Sequence, residues 1–186
     1  MMHKIILASI LVSLLVLPNV TNFIILRADA AQVDYFLKIE GVPGESSDSK
    51  HKDWIDIQSY SFGATQTASS GGGGGAGKVK IQDLMITKTL DKSSPNLFLK
   101  CATGEHIKEV VITARKSGGN QQEFLKWKLT DVMISSYQVN GEGGIPTEQI
   151  SLNFAKIEFE YKPQKADGTL DAPITGGWDV KANKKV

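Results

Sequence analysis

The sequence predicts an all-β fold: a small barrel or sandwich of two antiparallel sheets with one short flanking α-helix. Three observations carry this. Apolar and polar residues alternate with period two over several stretches. Only one stretch has the start and stop signals of a helix. The apolar side of the last long strand changes parity midway, as a strand does when it turns the corner of a barrel.

The first strand is Val33, Tyr35, Leu37 and Ile39 alternating with Asp34, Phe36, Lys38 and Glu40. Residues 41–53 form a polar, glycine-containing loop, longer than a hairpin needs, and so a loop with a task. A second strand is expected from Trp54 to Phe62, a Ser/Thr/Gly-rich connection from Gly63 to Gly77, and a third strand from Val79 to Thr89. Ser93-Ser94-Pro95 places an N-cap residue before a proline at the first helical position, and Gly104 suits the left-handed residue that ends a helix. At about two turns this helix needs a surface to pack on. Strands follow at Ile107–Arg115, Phe124–Val139 and Gln149–Tyr161. In the last, Ile150, Leu152 and Phe154 have one parity and Ile157, Phe159 and Tyr161 the other, so the apolar face flips near Ala155 and Lys156.

Composition narrows the function. With 186 residues and 41% hydrophobic content the chain can bury one real core. A formal net charge of +1, with basic residues scattered, gives no electrostatic case for nucleic acid. The only cysteine, Cys101, cannot form an internal disulfide and reads as a small buried hydrophobe. The histidines His3, His51 and His106 lack zinc-site spacing. Gly72 to Gly77 with Lys78 matches part of a phosphate-binding loop. However, Val79 stands where Ser or Thr should reach magnesium, and the tract leads into a strand rather than a helix. No pattern supports catalysis or a cofactor.

The first thirty residues read separately. Met1-Met2-His3-Lys4 is a short basic start, Ile5 to Leu17 an apolar run, and Ala28 and Ala30 fit the small-x-small rule for cleavage after Ala30. The organisation is then a signal peptide over 1–30, with an uncleaved anchor as the alternative, and one β domain over 31–186. Without the segment the domain carries 19 basic and 19 acidic residues and is neutral.

Blocks spread along the chain in a shared order resemble the haemolysin-coregulated protein family, Hcp. They are Val33-Asp34-Tyr35-Phe36-Leu37-Lys38-Ile39 with Gly44-Glu45-Ser46, then Gly71 to Lys78 with Gln82-Asp83-Leu84, then Asp91-Lys92-Ser93-Ser94-Pro95 and Cys101-Ala102-Thr103-Gly104. Arg115-Lys116, Ser135-Ser136, Ser151-Leu152-Asn153-Phe154-Ala155, Pro163 to Gly168 and Gly177-Trp178 continue the series. The resemblance implies a structural, non-enzymatic subunit of the type VI secretion tube. Such subunits assemble as stacked homo-hexameric rings inside a contractile sheath behind a spike, are secreted, and can carry small effectors in the channel. It implies that Ser61, in Tyr60-Ser61-Phe62, faces the channel and contacts effectors. It also implies that the long loop, with Gly44, Glu45, Ser46, Asp48, Lys50 and His51, reaches the neighbouring ring. Ile55 and Ile57 have the parity of Ser61, so an outward Ser61 requires a bulge between them.

The export segment departs from that family's pattern, because tubes assemble in the cytoplasm. Either the assigned start lies upstream of the true one, or the chain is an exported, periplasmic or extracellular ring-former working outside the injection machine. A membrane contact is expected only through an uncleaved segment.

Overall fold

The computed structural model describes residues 32–66, 79–117 and 121–186. The expected export segment and the glycine tract with Lys78 lie outside the described residues. The strands are β1 (Val33–Ile39), β2 (Ile55–Ile57), β3 (Ser59–Ser61), β4 (Ala64–Thr65), β5 (Lys80–Ile81), β6 (Leu84–Thr89), β7 (Ile107–Lys116), β8 (Glu123–Asn140), β9 (Thr147–Tyr161), β10 (Ile174–Asp179) and β11 (Lys184–Lys185). The helix α1 spans Ser94–Thr103.

All ladders are antiparallel. The order runs from β1 through β2 and β3 to β6, then to β9, β8 and β7, and back to β1, which closes a barrel. The hairpin β10–β11 continues the sheet from the second half of β9, and β4–β5 stand apart as a small second sheet. Inside lie Leu37, Ile55, Leu84, Ile86, Val110, Ile112, Leu129, Val132, Ile150 and Leu152, all fully buried. Burying each such aliphatic side chain is worth about 1.5–3 kcal/mol.

Closure demands corners. At Asp131 the backbone of β8 takes a positive φ of 53°, a region that aspartate enters more readily than most residues. Leu129 and Val132 are both buried across this point, although their parities differ. The facing strand switches at the same level, between Phe154 and Ile157, where the Ala155 carbonyl accepts the Val180 N–H at 2.8 Å. The flip expected at Ala155–Lys156 is therefore one half of a corner shared by two strands.

The structure divides two expected strands. Residues 54–62 break at Gln58, whose N–H leaves the β1 ladder and bonds the Thr87 carbonyl at 2.8 Å. Residues 79–89 break at Gln82–Asp83, so that β5 pairs with β4 and β6 enters the barrel. Strands β10 and β11 had no sequence signal. Their glycines and lysines are poor strand formers, and pairing with the free edge of β9 sets their conformation.

Helix α1 ends as expected, with Gly104 at φ 65° and its N–H on the Cys101 carbonyl at 3.3 Å. Its start is a correction. Ser93 is the N-cap residue but makes no side-chain cap bond. Its hydroxyl turns to Asp91, whose carboxylate also accepts the Ser93 N–H at 2.9 Å, so an aspartate turn starts the helix instead. Leu97 is fully buried and anchors the helix over one end of the barrel, while Cys101 packs half-buried against the core.

Candidate channel and ring-contact surfaces

Gln58 decides where Ser61 points. Ile55 and Ile57 face the core, yet Ser59 and Ser61, of the same parity, are exposed, because the bend at Gln58 shifts the alternation by one residue. Tyr60 then takes the inward position, packing edge-on against Tyr35 with ring centroids 5.6 Å apart. The bulge that an outward Ser61 requires is present.

Ser61 lies opposite Met85 on β6, and Met85 lies opposite Ser151 on β9. Ser59 and Thr87, then Thr87 and Gln149, form the adjoining row. With Ser135 and Asn153 these residues build an outward face of hydroxyls and amides. The carboxylate that reaches it, Asp83, is engaged by the Ser135 hydroxyl and by the Asn153 amide at 2.8 Å. Met85, 44% exposed, is an apolar residue within this face.

The long loop folds back on its own barrel. Gly44 N–H bonds the Asp53 carbonyl at 2.8 Å, and Ser46 and Asp53 exchange bonds across to Trp54 and Ser46 at 3.0 Å. Beneath it lies a polar clamp. His51, 1% exposed, stacks parallel on Phe36 at 4.0 Å and meets Trp54 edge-on at 4.8 Å. Its Nδ1 is 2.8 Å from Asp48, and its Nε2 is 3.2 Å from Thr113 Oγ1 and 3.3 Å from Glu123. Arg115 lies over Phe36 and donates to Asp48 at 2.5 Å and to Asp34 at 3.2 Å. Burial opposes the charged form of Asp48, but the bonds from Arg115 and His51 outweigh it and hold the carboxyl well below the usual aspartate range. Burial likewise works against the Arg115 charge, and its two carboxylate partners raise it above the ordinary arginine value.

This placement narrows the expectation for the loop. Gly44, Ser46 and His51 are buried and Asp48 is nearly so; they face their own barrel. Of the six residues, Glu45 and Lys50 are exposed. Glu45 accepts the Lys92 N–H at 2.8 Å, and Lys50 reaches the Gln121 carbonyl at 3.4 Å.

Sequence reasoning missed Phe36, Thr113, Arg115 and Glu123 as the seat of the loop. One signal was available: Phe36 puts a large aromatic on the outward side of β1, which a covering segment explains. His106 is exposed and bonds Asp131 at 2.6 Å.

The fold is that of known proteins. A family model described as type VI secretion system effector, Hcp, matches residues 36–161. The chain is 47% identical to protein hcp1 of Pseudomonas aeruginosa over 157 residues, covering 81% of this chain and 97% of that protein. A solved structure described as Hcp1 from Salmonella typhimurium aligns with a TM-score of 0.70 at 35% identity, covering 83% of this chain and 99% of that one. Another, described as a type six secretion system protein, reaches a TM-score of 0.78 at 33% identity, covering 83% and 100%.

Proposed function

The chain belongs to the Hcp family of type VI secretion tube proteins, and from that premise we propose that it builds stacked hexameric rings whose channel wall is the polar face around Ser61. The supporting observation is the Gln58 bend, which turns Ser59 and Ser61 outward beside Met85, Ser151 and Asn153. A wall of hydroxyls and amides that carries one carboxylate per subunit, Asp83, disfavours strongly anionic cargo. It holds cargo through short-range hydrogen bonds and the Met85 thioether, a side chain that adapts to many surfaces. Small effectors are the cargo this reading assigns, with Ser61 as a contact. Sheath and spike are its outer and leading partners, and the secreted fraction is its destination. Its part in the machine is structural.

Sizing chromatography with electron microscopy tests the proposal. Rings are the expected species, and a monomer that persists at high concentration overturns it.

A second reading is favoured by the apolar run Ile5 to Leu17 with Ala28 and Ala30. In it the chain is exported through a cleaved signal peptide and forms rings outside the injection machine. N-terminal sequencing of the native protein, together with release measured in cells lacking the sheath, separates the two. A start at Ala31 with release unchanged supports export. Release that stops without the sheath supports the tube.

A further inference from the structure

We infer that Asp83 is a specificity-determining residue of the polar face around Ser61, an uncompensated carboxylate that selects cargo presenting lysine or arginine; this deepens the channel reading above and rests on it.

The face is wide and almost without charge. Beyond the rows already described, Ser136 lies opposite Ser151 and Gln138 opposite Gln149, so hydroxyls and amides continue from β3 across β6 and β9 onto β8. Where β6 and β9 cross the face, their charged residues, Lys88 and Glu148, point inward and are buried against each other. Asp131, at the corner of β8, is already paired with Lys181 and with His106, each at 2.6 Å. Asp83 differs. It stands just before β6, half-buried, at the end of that strand away from α1. Its partners are neutral: the Ser135 hydroxyl donates to Oδ2, and the Asn153 amide donates to Oδ1 at 2.8 Å. Among the described residues no lysine, arginine or histidine pairs with it.

A carboxylate offers about four acceptor sites, and these bonds fill two, so the pose is fixed with acceptor capacity left over. An ammonium or guanidinium is the group that completes it. Such a group restores neutrality and donates to an ionised acceptor, whereas a neutral hydroxyl only donates and a second carboxylate is repelled. In a ring the charge recurs once per subunit. A cargo with several basic side chains then meets several carboxylates at one level, and the contacts act together. The hydroxyls and amides hold cargo whatever its charge; Asp83 adds the preference.

The test uses rings of the full chain and two fluorescent peptides of equal length, oligolysine and oligoglutamate, with retention read by anisotropy. Unaltered rings should retain oligolysine and not oligoglutamate. Asp83→Asn should weaken oligolysine about tenfold at low salt, and the difference should shrink at about 0.5 M salt. Asp83→Lys should reverse the preference. Glu142→Gln removes an exposed carboxylate in the β8–β9 turn, outside the face, and should change nothing. Unaltered rings that hold both peptides alike overturn the inference. So does an Asp83→Asn ring that holds oligolysine like the unaltered one, or a Glu142→Gln ring that loses it. If the Asp83 variants do not assemble, the peptide preference of the unaltered rings and its salt dependence decide. Absence of rings in the unaltered protein defeats the channel reading itself and the inference with it.

Discussion

The ammonium of Lys88 lies 2.6 Å from the carboxylate of Glu148, and neither side chain is reached by solvent. The pair sits in the end of the barrel that α1 covers. Asp91 lies 2.8 Å from the same ammonium, the Ser94 hydroxyl bridges both groups, and the Tyr137 hydroxyl donates to Glu148. Burial first, and then the Glu148 charge, push the Tyr137 phenol well above its ordinary range, so it stays a donor. The cluster joins β6, β8 and β9 to the first turn of the helix.

Removing the shared cation should cost more than removing one carboxylate. Lys88→Met leaves the buried Glu148 uncompensated and strips Asp91 of its partner, and should lose about 3–5 kcal/mol, whereas Glu148→Leu leaves Lys88 paired with Asp91 and should lose less. The double variant should recover part of the Lys88→Met loss, short of the partners that Asp91, Ser94 and Tyr137 forfeit. Urea unfolding of the three variants checks this; additive losses would show that the two residues do not act as a pair.

Asp48 should make the protein acid-sensitive. Folding lowers its pKa, so its contribution is complete above the unfolded value of about 3.9 and is lost as pH falls through the lower folded value. Asp48→Asn should cost about 1.5–3 kcal/mol at neutral pH, the worth of hydrogen bonds to a charged group. The gap between the two proteins should close as pH drops below about 4. Denaturant midpoints from pH 6 to 2 measure it, and a gap that stays constant refutes the assignment.

Gly44 has no room for a side chain. A Cβ there would lie 2.2 Å from the Trp54 carbonyl oxygen and 2.6 Å from the Ile55 Cα, both backbone atoms. Gly44→Ala should push the loop off β2 and destabilise the protein by about 1–3 kcal/mol, as overpacking does. Gly104→Ala is the contrast: no atom lies within 4 Å, so its cost is the left-handed backbone alone, about 1 kcal/mol. Thermal melts of both, with amide exchange in the loop, distinguish packing from backbone strain.

Ser61→Gln should leave stability within about 0.5 kcal/mol, since the side chain is exposed. Under the channel reading, rings of this variant should form normally and retain a different set of co-secreted proteins. Mass spectrometry of ring-bound material checks it, and an unchanged set removes Ser61 from the channel contacts.

The chain's linear pattern was enough to determine an all-β domain with one helix, the Gly104 helix stop, the switch of side near Ala155 and, through its ordered blocks, the family. These are local properties, written in alternation and turn residues within a few positions of one another. Tertiary structure alone decided which positions are covered from outside. Alternation separates the two faces of a strand but cannot say what lies over either. His51 is buried by Thr113, 62 positions away, and Lys88 by Glu148, 60 positions away. Likewise the break at Gln58 is set by a competing ladder, with the Thr87 carbonyl drawing its N–H from the first sheet edge to the second. That single backbone bond turns Ser61 outward, and it forms only when β6 is already in place.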